Sequence, residues 1–420
     1  MPDNSSLMII NRLRKYLQSR YFIPVCLTSS FIIRLLWISL FKIAPTSDFG
    51  WYLQRGLSIA AGTGFTADGA PTAFWPVGYP GFLSIIFSIF GGSLFWPKLA
   101  NIFLYLAIIL LIYFFSKRIF QNEEAARITV LILAFYPNHI AYSSLLASEI
   151  LFTLLIVLGA LLFIASQKHP WLLIVVGLCL GIATLVKPQA ILVPILFIAI
   201  YYKNIKMLLK SGAIIYLMLL LTIAPWMVRN YMLFGEPVLT TNGGRNLLIG
   251  NSPYSDGSYI WTQEMKSLLA DSKDEMDSDI IARKFAIDYM VHNPLKIMML
   301  WPRKIFYLYA IDFDGIFYNQ PGWVYSSMIK GNWGYTTLKI IAQLYYMLTM
   351  ILFLFSIRFI FSADNHSWIG LLIIIYFTLI AIAFFGTPRF HFPAIPWIAV
   401  YSGIGGRAVL NHFSPRIAAI

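Results

Sequence analysis

The chain has 420 residues, 59% of them apolar and only 12% charged, with a mean hydropathy of +0.73. Soluble domains carry roughly 25% charged residues, so a water-soluble protein is excluded. The net charge of +13 invites nucleic acid as a partner, but the bases at the turns between apolar runs fall on one side, so the excess records membrane orientation rather than an anionic partner.

The runs reach the roughly 17–25 residues that cross a hydrocarbon core. Only helices or closed barrels satisfy the backbone in lipid, and these runs are continuous rather than alternating. The expected fold is an all-α integral membrane bundle of roughly 10–12 helices. The candidate spans are 21–43, 94–116, 124–142, 150–166, 170–186, 188–203, 211–228, 335–359, 367–386 and 392–410.

In chain order, Arg12, Arg14, Lys15 and Arg20 precede the first run, which puts the N-terminus in the cytoplasm by the positive-inside rule. A signal peptide has a core of only about 7–15 residues and a small-residue cleavage site. Residues 21–43 have neither and read as an uncleaved anchor. Asp48 then stands just past the run, in Ala44-Pro45-Thr46-Ser47-Asp48, and residues 44–81 hold only one other acid, Asp68. Tyr79–Gly91 is short and ends at Gly91-Gly92, so it reads as an interfacial or half-inserted helix on the outer face. Counted as a span, it would put Lys117, Arg118 and Arg127 outside. Lys168, Lys203, Lys206, Lys210, Arg358 and Arg407 follow at later turns on the basic side. Of the acids, only Asp3, Glu123, Glu124 and Asp364 fall there. Cys26 and Cys179 lie inside spans and build neither a disulfide scaffold nor a zinc site.

The external segment 229–334 is the longest. Asn242-Gly243-Gly244 and Asp256-Gly257 are turn signals. Between Gln263 and Val291, charges interleave with Leu268, Leu269, Ile280, Ile281, Phe285 and Ile287, the spacing of one or two amphipathic helices lying over the bundle. Pro294–Ala310, with Lys296, Arg303 and Lys304, belongs at the outer surface too. The division is 1–228 as an N-terminal bundle with external loop 44–93, 229–334 as the large external region, and 335–420 as the closing spans.

The groups able to do chemistry are the external ionisable residues at span ends: Asp48, Glu149, Lys187, Arg229, Arg245 and Arg389. Asp48 and Glu149 share a face, since three crossings put Glu149 outside. One could deprotonate an acceptor hydroxyl while the other positions it or holds a divalent cation, Mg²⁺ or Mn²⁺. Glu149 could equally cap a helix start. Lys187, in a turn before Pro188, could hold a phosphate or simply snorkel from a helix end. Arg389 runs against the positive-inside bias, and its fork suits a lipid phosphate as well as a headgroup. Arg34 is mid-span, faces the interior by default, and a structural ion pair explains it as well as a function does. His139 and His391 lie near the external face without ligand spacing, so no histidine metal site is expected. The sequence has no phosphate-binding glycine loop, which argues against a nucleotide-sugar substrate.

Several segments together resemble the bacterial GT-C glycosyltransferases of the family 39 type, the group containing protein O-mannosyltransferases and aminoarabinose transferases. They are Ser47-Asp48-Phe49-Gly50-Trp51-Tyr52, Gly62-Thr63-Gly64-Phe65, the stretch Asp68–Leu83, Ser148-Glu149, Pro225–Tyr231, Thr241–Asn251 and Pro388-Arg389-Phe390. The resemblance implies an inner-membrane enzyme using a polyprenyl-phosphate-linked sugar, with the catalytic base at Asp48 and a second acid at Glu149. Many relatives carry Asp-Glu where this chain has Asp48-Phe49. The reading is sugar transfer to an acceptor glycan, lipid or protein, with Lys187, Arg229, Arg245 and Arg389 on the donor phosphate. The rival classes are a lipid or sugar transporter or flippase, against which only Arg34 is deep and no paired halves are visible, and an inactive scaffold.

Overall fold

A computed structural model describes residue 12 and residues 14–323, 332–360 and 367–413. Asp3 and Asp364, counted above among the basic-side acids, lie outside the described residues. In chain order the helices are α1 (Phe22–Leu40), α2 (Ser47–Ala60), α3 (Gly78–Phe90), α4 (Phe95–Phe120), α5 (Glu123–Ala134), α6 (Pro137–Tyr142), α7 (Glu149–Ala165), α8 (Leu172–Val186), α9 (Val193–Ile198) and α10 (Ile205–Phe234). Then follow α11 (Gly243–Gly250), α12 (Gln263–Leu268), α13 (Glu275–His292), α14 (Pro294–Tyr309), α15 (Asp314–Tyr318), α16 (Trp333–Ile360), α17 (Trp368–Ala383) and α18 (Ile395–Phe413). A two-stranded hairpin, Thr66–Ala67 against Ala70–Pro71, interrupts the α2–α3 connection.

The protein is a helical membrane protein. Helices α1, α4, α10 and α16 are each long and apolar enough to cross a bilayer. On α16, Leu344, Met347, Leu348, Ile351, Leu354 and Phe355 form an exposed stripe, at the spacing of one helix face. Such a stripe suits lipid rather than water. Inside, Tyr105, Phe115, Phe152, Phe163, Trp397 and Tyr401 anchor one continuous core. Helices α8 and α10 meet through Gly177 and Gly181, where a Cβ would stand 2.5 Å from Met218 and Thr222 side chains. Small residues one turn apart allow this close crossing in lipid, where burial alone drives no association.

Two expected continuous spans are broken. Run 124–142 divides into α5 and α6 because Pro137 opens a new helix and Tyr136, before it, is extended (φ −68°, ψ 108°), as the residue preceding proline tends to be. Run 188–203 becomes a 3-10 turn Pro188–Leu192, then α9, then a 3-10 turn Ala199–Tyr201. Pro188 and Pro194 lack the N–H donors a continuous helix needs. Asn242-Gly243-Gly244, read as a turn, instead starts α11. The amphipathic segment forms two helices, α12 and α13. They cover a second small core of Leu248, Ile249, Met265, Leu269, Ala282, Ala286 and Phe385, each large side chain contributing about 1.5–3 kcal/mol on burial.

Candidate active site

Four separated segments deliver the central side chains. Asp48, expected in a loop, lies instead in the first turn of α2. Ser47 has φ +53°, a left-handed conformation that a serine holds at a cost of about 1–3 kcal/mol. That residue opens α2, with Asp48 next in its first turn. Glu149 is the first residue of α7 and fully buried; a helix N-terminus favours its negative charge. Lys187 caps α8 in an extended conformation before Pro188. Gly78 presses on this point: a Cβ there would stand 2.6 Å from the backbone of Leu185 and Val186. Arg389 sits in the 3-10 helix Pro388–Ala394, whose approach is fixed by Gly386 N–H donating to Gly257 O at 2.9 Å.

The four converge. Arg389 grips Glu149 with two nitrogens, Nε to Oε1 at 2.5 Å and Nη2 to Oε2 at 3.2 Å, and donates its Nη1 to Asp48. Lys187 Nζ donates to Glu149 Oε1 at 2.7 Å. Phe49 lies beneath the guanidinium at 5.1 Å, where its ring face attracts the cation. Burial would draw down the pKa of Arg389, but Asp48 and Glu149 more than reverse it and hold the group charged. Burial lowers that of Lys187, with Glu149 opposing. The side chain of Asp48 is 20% exposed and that of Glu149 0%, so of the two carboxylates only Asp48 can meet an incoming molecule.

Arg229 and Arg245 do not join this cluster. Arg229 donates to the carbonyls of Thr72 (2.8 Å) and Phe65 (3.1 Å) and lies over Trp226. Arg245 donates to Ser278 Oγ (2.9 and 3.1 Å) and lies over Phe74. Both tie loops together. Arg34 is fully buried but has no ion pair among the described residues; it donates to Ala134 O at 3.0 Å and stands 4.1 Å from the Tyr105 ring centre.

A neighbouring polar network escaped the sequence. Asp312 accepts from Tyr136 and Asn138, and Asp314 from Tyr142 and from Asn138 at 2.8 Å. His391 directs Nε2 at Asp312 Oδ1, 3.3 Å away, and Nδ1 at Leu308 O. Burial opposes the charge of His391, and Asp312 outweighs it, raising its pKa. Burial, reinforced by Asp312, raises that of Asp314. The signal available was two acids, Asp312 and Asp314, directly after an apolar segment. The network fastens the 3-10 helix that carries Arg389.

Among the described residues no group of three His, Cys, Asp or Glu side chains gathers at a point. Asp48 and Glu149 both face cationic side chains, so the residues present do not fit a resident divalent ion.

A family described as dolichyl-phosphate-mannose-protein mannosyltransferase matches residues 70–228, less than half of the chain. The structure of the oligosaccharyltransferase AglB from Archaeoglobus fulgidus, in complex with an inhibitory peptide and a dolichol-phosphate, superposes with a TM-score of 0.53 at 15% identity, over 94% of this chain and 51% of that one. A second Archaeoglobus fulgidus oligosaccharyltransferase structure, tethered to an acceptor peptide, gives 0.52 at 15%, over 94% and 50%. The fold is of the GT-C type. The chain spans about half the length of these GT-C proteins. ArnT from Cupriavidus metallidurans, bound to undecaprenyl phosphate, gives 0.43 at 12% identity, over 92% and 77%, too low a score to bear on the fold. No curated protein sequence matches significantly.

Proposed function

We propose that this chain is a glycosyltransferase that moves a sugar from a polyprenyl-phosphate donor to an acceptor hydroxyl, at the membrane face where α2 and α7 begin. The supporting observation is the convergence of Asp48, Glu149, Lys187 and Arg389 from four separate segments. The matched mannosyltransferase family and the dolichol-phosphate held by the similar oligosaccharyltransferase are consistent with such a donor.

In the resting arrangement Asp48 is paired with Arg389 through its Oδ2. The donor phosphate competes for the Nη1 of Arg389 and for Lys187, the two cations nearest the open side. Glu149 keeps its two contacts and so positions both cations without itself touching substrate. Asp48, released, accepts the proton of the acceptor hydroxyl. The hydroxyl oxygen bonds to the anomeric carbon as the bond to phosphate oxygen breaks, and the lipid phosphate leaves with the electron pair. Direct displacement inverts that carbon. Arg389 and Lys187 stabilise the leaving anion by charge fixed beforehand. Arg229 and Arg245 hold the first external segment in place instead of touching the phosphate.

In a bacterial cell the reading sets this site on the periplasmic face of the inner membrane, with a cytoplasmic N-terminus. The decisive assay incubates purified protein with a labelled polyprenyl-phosphate sugar and follows release of the lipid phosphate. Transfer by wild type and none by Asp48→Asn is expected; full activity in that variant refutes the base assignment.

A further inference from the structure

The Asp256-Gly257 turn lies between α11 and α12 and is fixed at both levels of the chain. Gly257 has φ +95°, a conformation open to a residue without a Cβ. Asp256 Oδ1 accepts from Ser258 N–H at 2.8 Å and from Ser258 Oγ at 2.7 Å, so the aspartate closes the turn two residues on. Ser258 then forms a parallel β-bridge with Gly386, beside the bond from Gly386 N–H to Gly257 O. The next residue, Tyr259, is thereby held against the segment that leads into Arg389. Its ring centre lies 5.3 Å from that of Phe385, and Phe385 lies 5.0 Å from Phe390. Those two phenylalanines flank Arg389 in the chain.

Tyr259 is nevertheless 63% exposed. A single exposed aromatic needs no explanation, and tyrosines gather at membrane–water interfaces. Two features set this one apart. Its backbone is pinned to the segment that carries a site residue. Its hydroxyl end is also desolvated, which raises its pKa; Asp48 raises it further and Arg389 opposes. The hydroxyl therefore stands within electrostatic reach of both site residues while most of the side chain stays open.

We propose that Tyr259 is the ring against which the transferred sugar stacks. The inference rests on the donor reading given above. With the phosphate on Arg389 and the acceptor hydroxyl at Asp48, the sugar ring must lie between these two groups, and Tyr259 adjoins both. A tyrosine ring offers flat apolar area at little entropic cost, suited to the C–H face of a pyranose. Its hydroxyl can donate to or accept from a sugar hydroxyl.

The test is competitive binding to the purified full-length chain in detergent, read by native mass spectrometry. The probes are undecaprenyl phosphate and undecaprenyl phosphate carrying mannose, glucose or galactose. Wild type is expected to prefer at least one sugar-bearing lipid over the bare one. Tyr259→Ala is expected to reduce that preference about tenfold, the scale of losing one aromatic face, and to leave binding of bare undecaprenyl phosphate unchanged. Tyr259→Phe keeps the ring and should keep most of the preference. Tyr254→Ala removes an exposed ring of the same segment that stacks on Phe285 instead, and should leave the preference intact. Binding of none of the lipids overturns the donor reading and this assignment together. Binding of the bare lipid without preference for any sugar overturns the assignment alone. So does a preference undiminished in Tyr259→Ala, a loss in Tyr259→Phe equal to that in Tyr259→Ala, or an equal loss in Tyr254→Ala.

Discussion

Arg389 presents its donors in a planar fork, and three of its nitrogens are committed to two carboxylates. Lysine keeps the charge but cannot reproduce that geometry. Arg389→Lys is therefore expected to lower kcat about 10²–10³-fold, the scale of losing a fixed donor at a developing anion, with a modest change in melting temperature. Arg389→Met leaves buried Glu149 with Lys187 alone, and breaking a buried pair costs about 3–5 kcal/mol; chemical denaturation of the two variants separates these effects. Asp48→Asn is expected to reduce phosphate release by about 10²–10⁴-fold, the usual worth of a general base, while thermal unfolding stays near wild type. At His391 the folded-state pKa lies above its ordinary 6.5. Its pairing with Asp312 thus stabilises fully below about pH 6.5 and is lost as pH rises through the higher folded value. Melting temperature measured from pH 6 upward should fall more steeply in wild type than in His391→Gln.

At the scale of elements, the 3-10 segment Pro388–Ala394, the start of α2, the start of α7 and the end of α8 must meet within hydrogen-bond distance. Gly78 is where this assembly is tightest. Gly78→Ala drives a methyl into the backbone beside Lys187, an overpacking worth about 1–3 kcal/mol. A loss of activity larger than the loss of stability is expected, read by comparing turnover with unfolding midpoint. The sequence made the four converging residues legible because an ionisable side chain at a span end is rare and costly. It could not show that they pair, since positions 48, 149, 187 and 389 are joined only by the packing of whole helices. The same criterion also picked out Arg229 and Arg245, which lie apart from the other four and donate to loop carbonyls and to Ser278. Arg34 was expected to face the interior and find a partner, and it found the Tyr105 ring and a carbonyl, partners that leave no mark in charge patterning. The break at Pro137 was readable from proline alone, and the apolar run on either side hid it.

At the scale of the molecule, most of the acids fall on the side of the bundle that carries Asp48, and the proposed orientation puts that end outside the cytoplasm. Cys26 and Cys179 are buried, so a cysteine placed at exposed Asp271 is the one accessible thiol among the described residues. An impermeant maleimide should label Asp271→Cys in cells whose outer barrier is opened and whose inner membrane is intact; labelling only after lysis reverses the orientation. The two-handed grip of Arg389 also bears on timing. In the proposed mechanism, an acceptor or a water molecule that arrives first finds Asp48 still held through Oδ2 by the guanidinium. With the carboxylate released by the lipid-borne sugar as proposed, steady-state kinetics should show compulsory order with the donor leading.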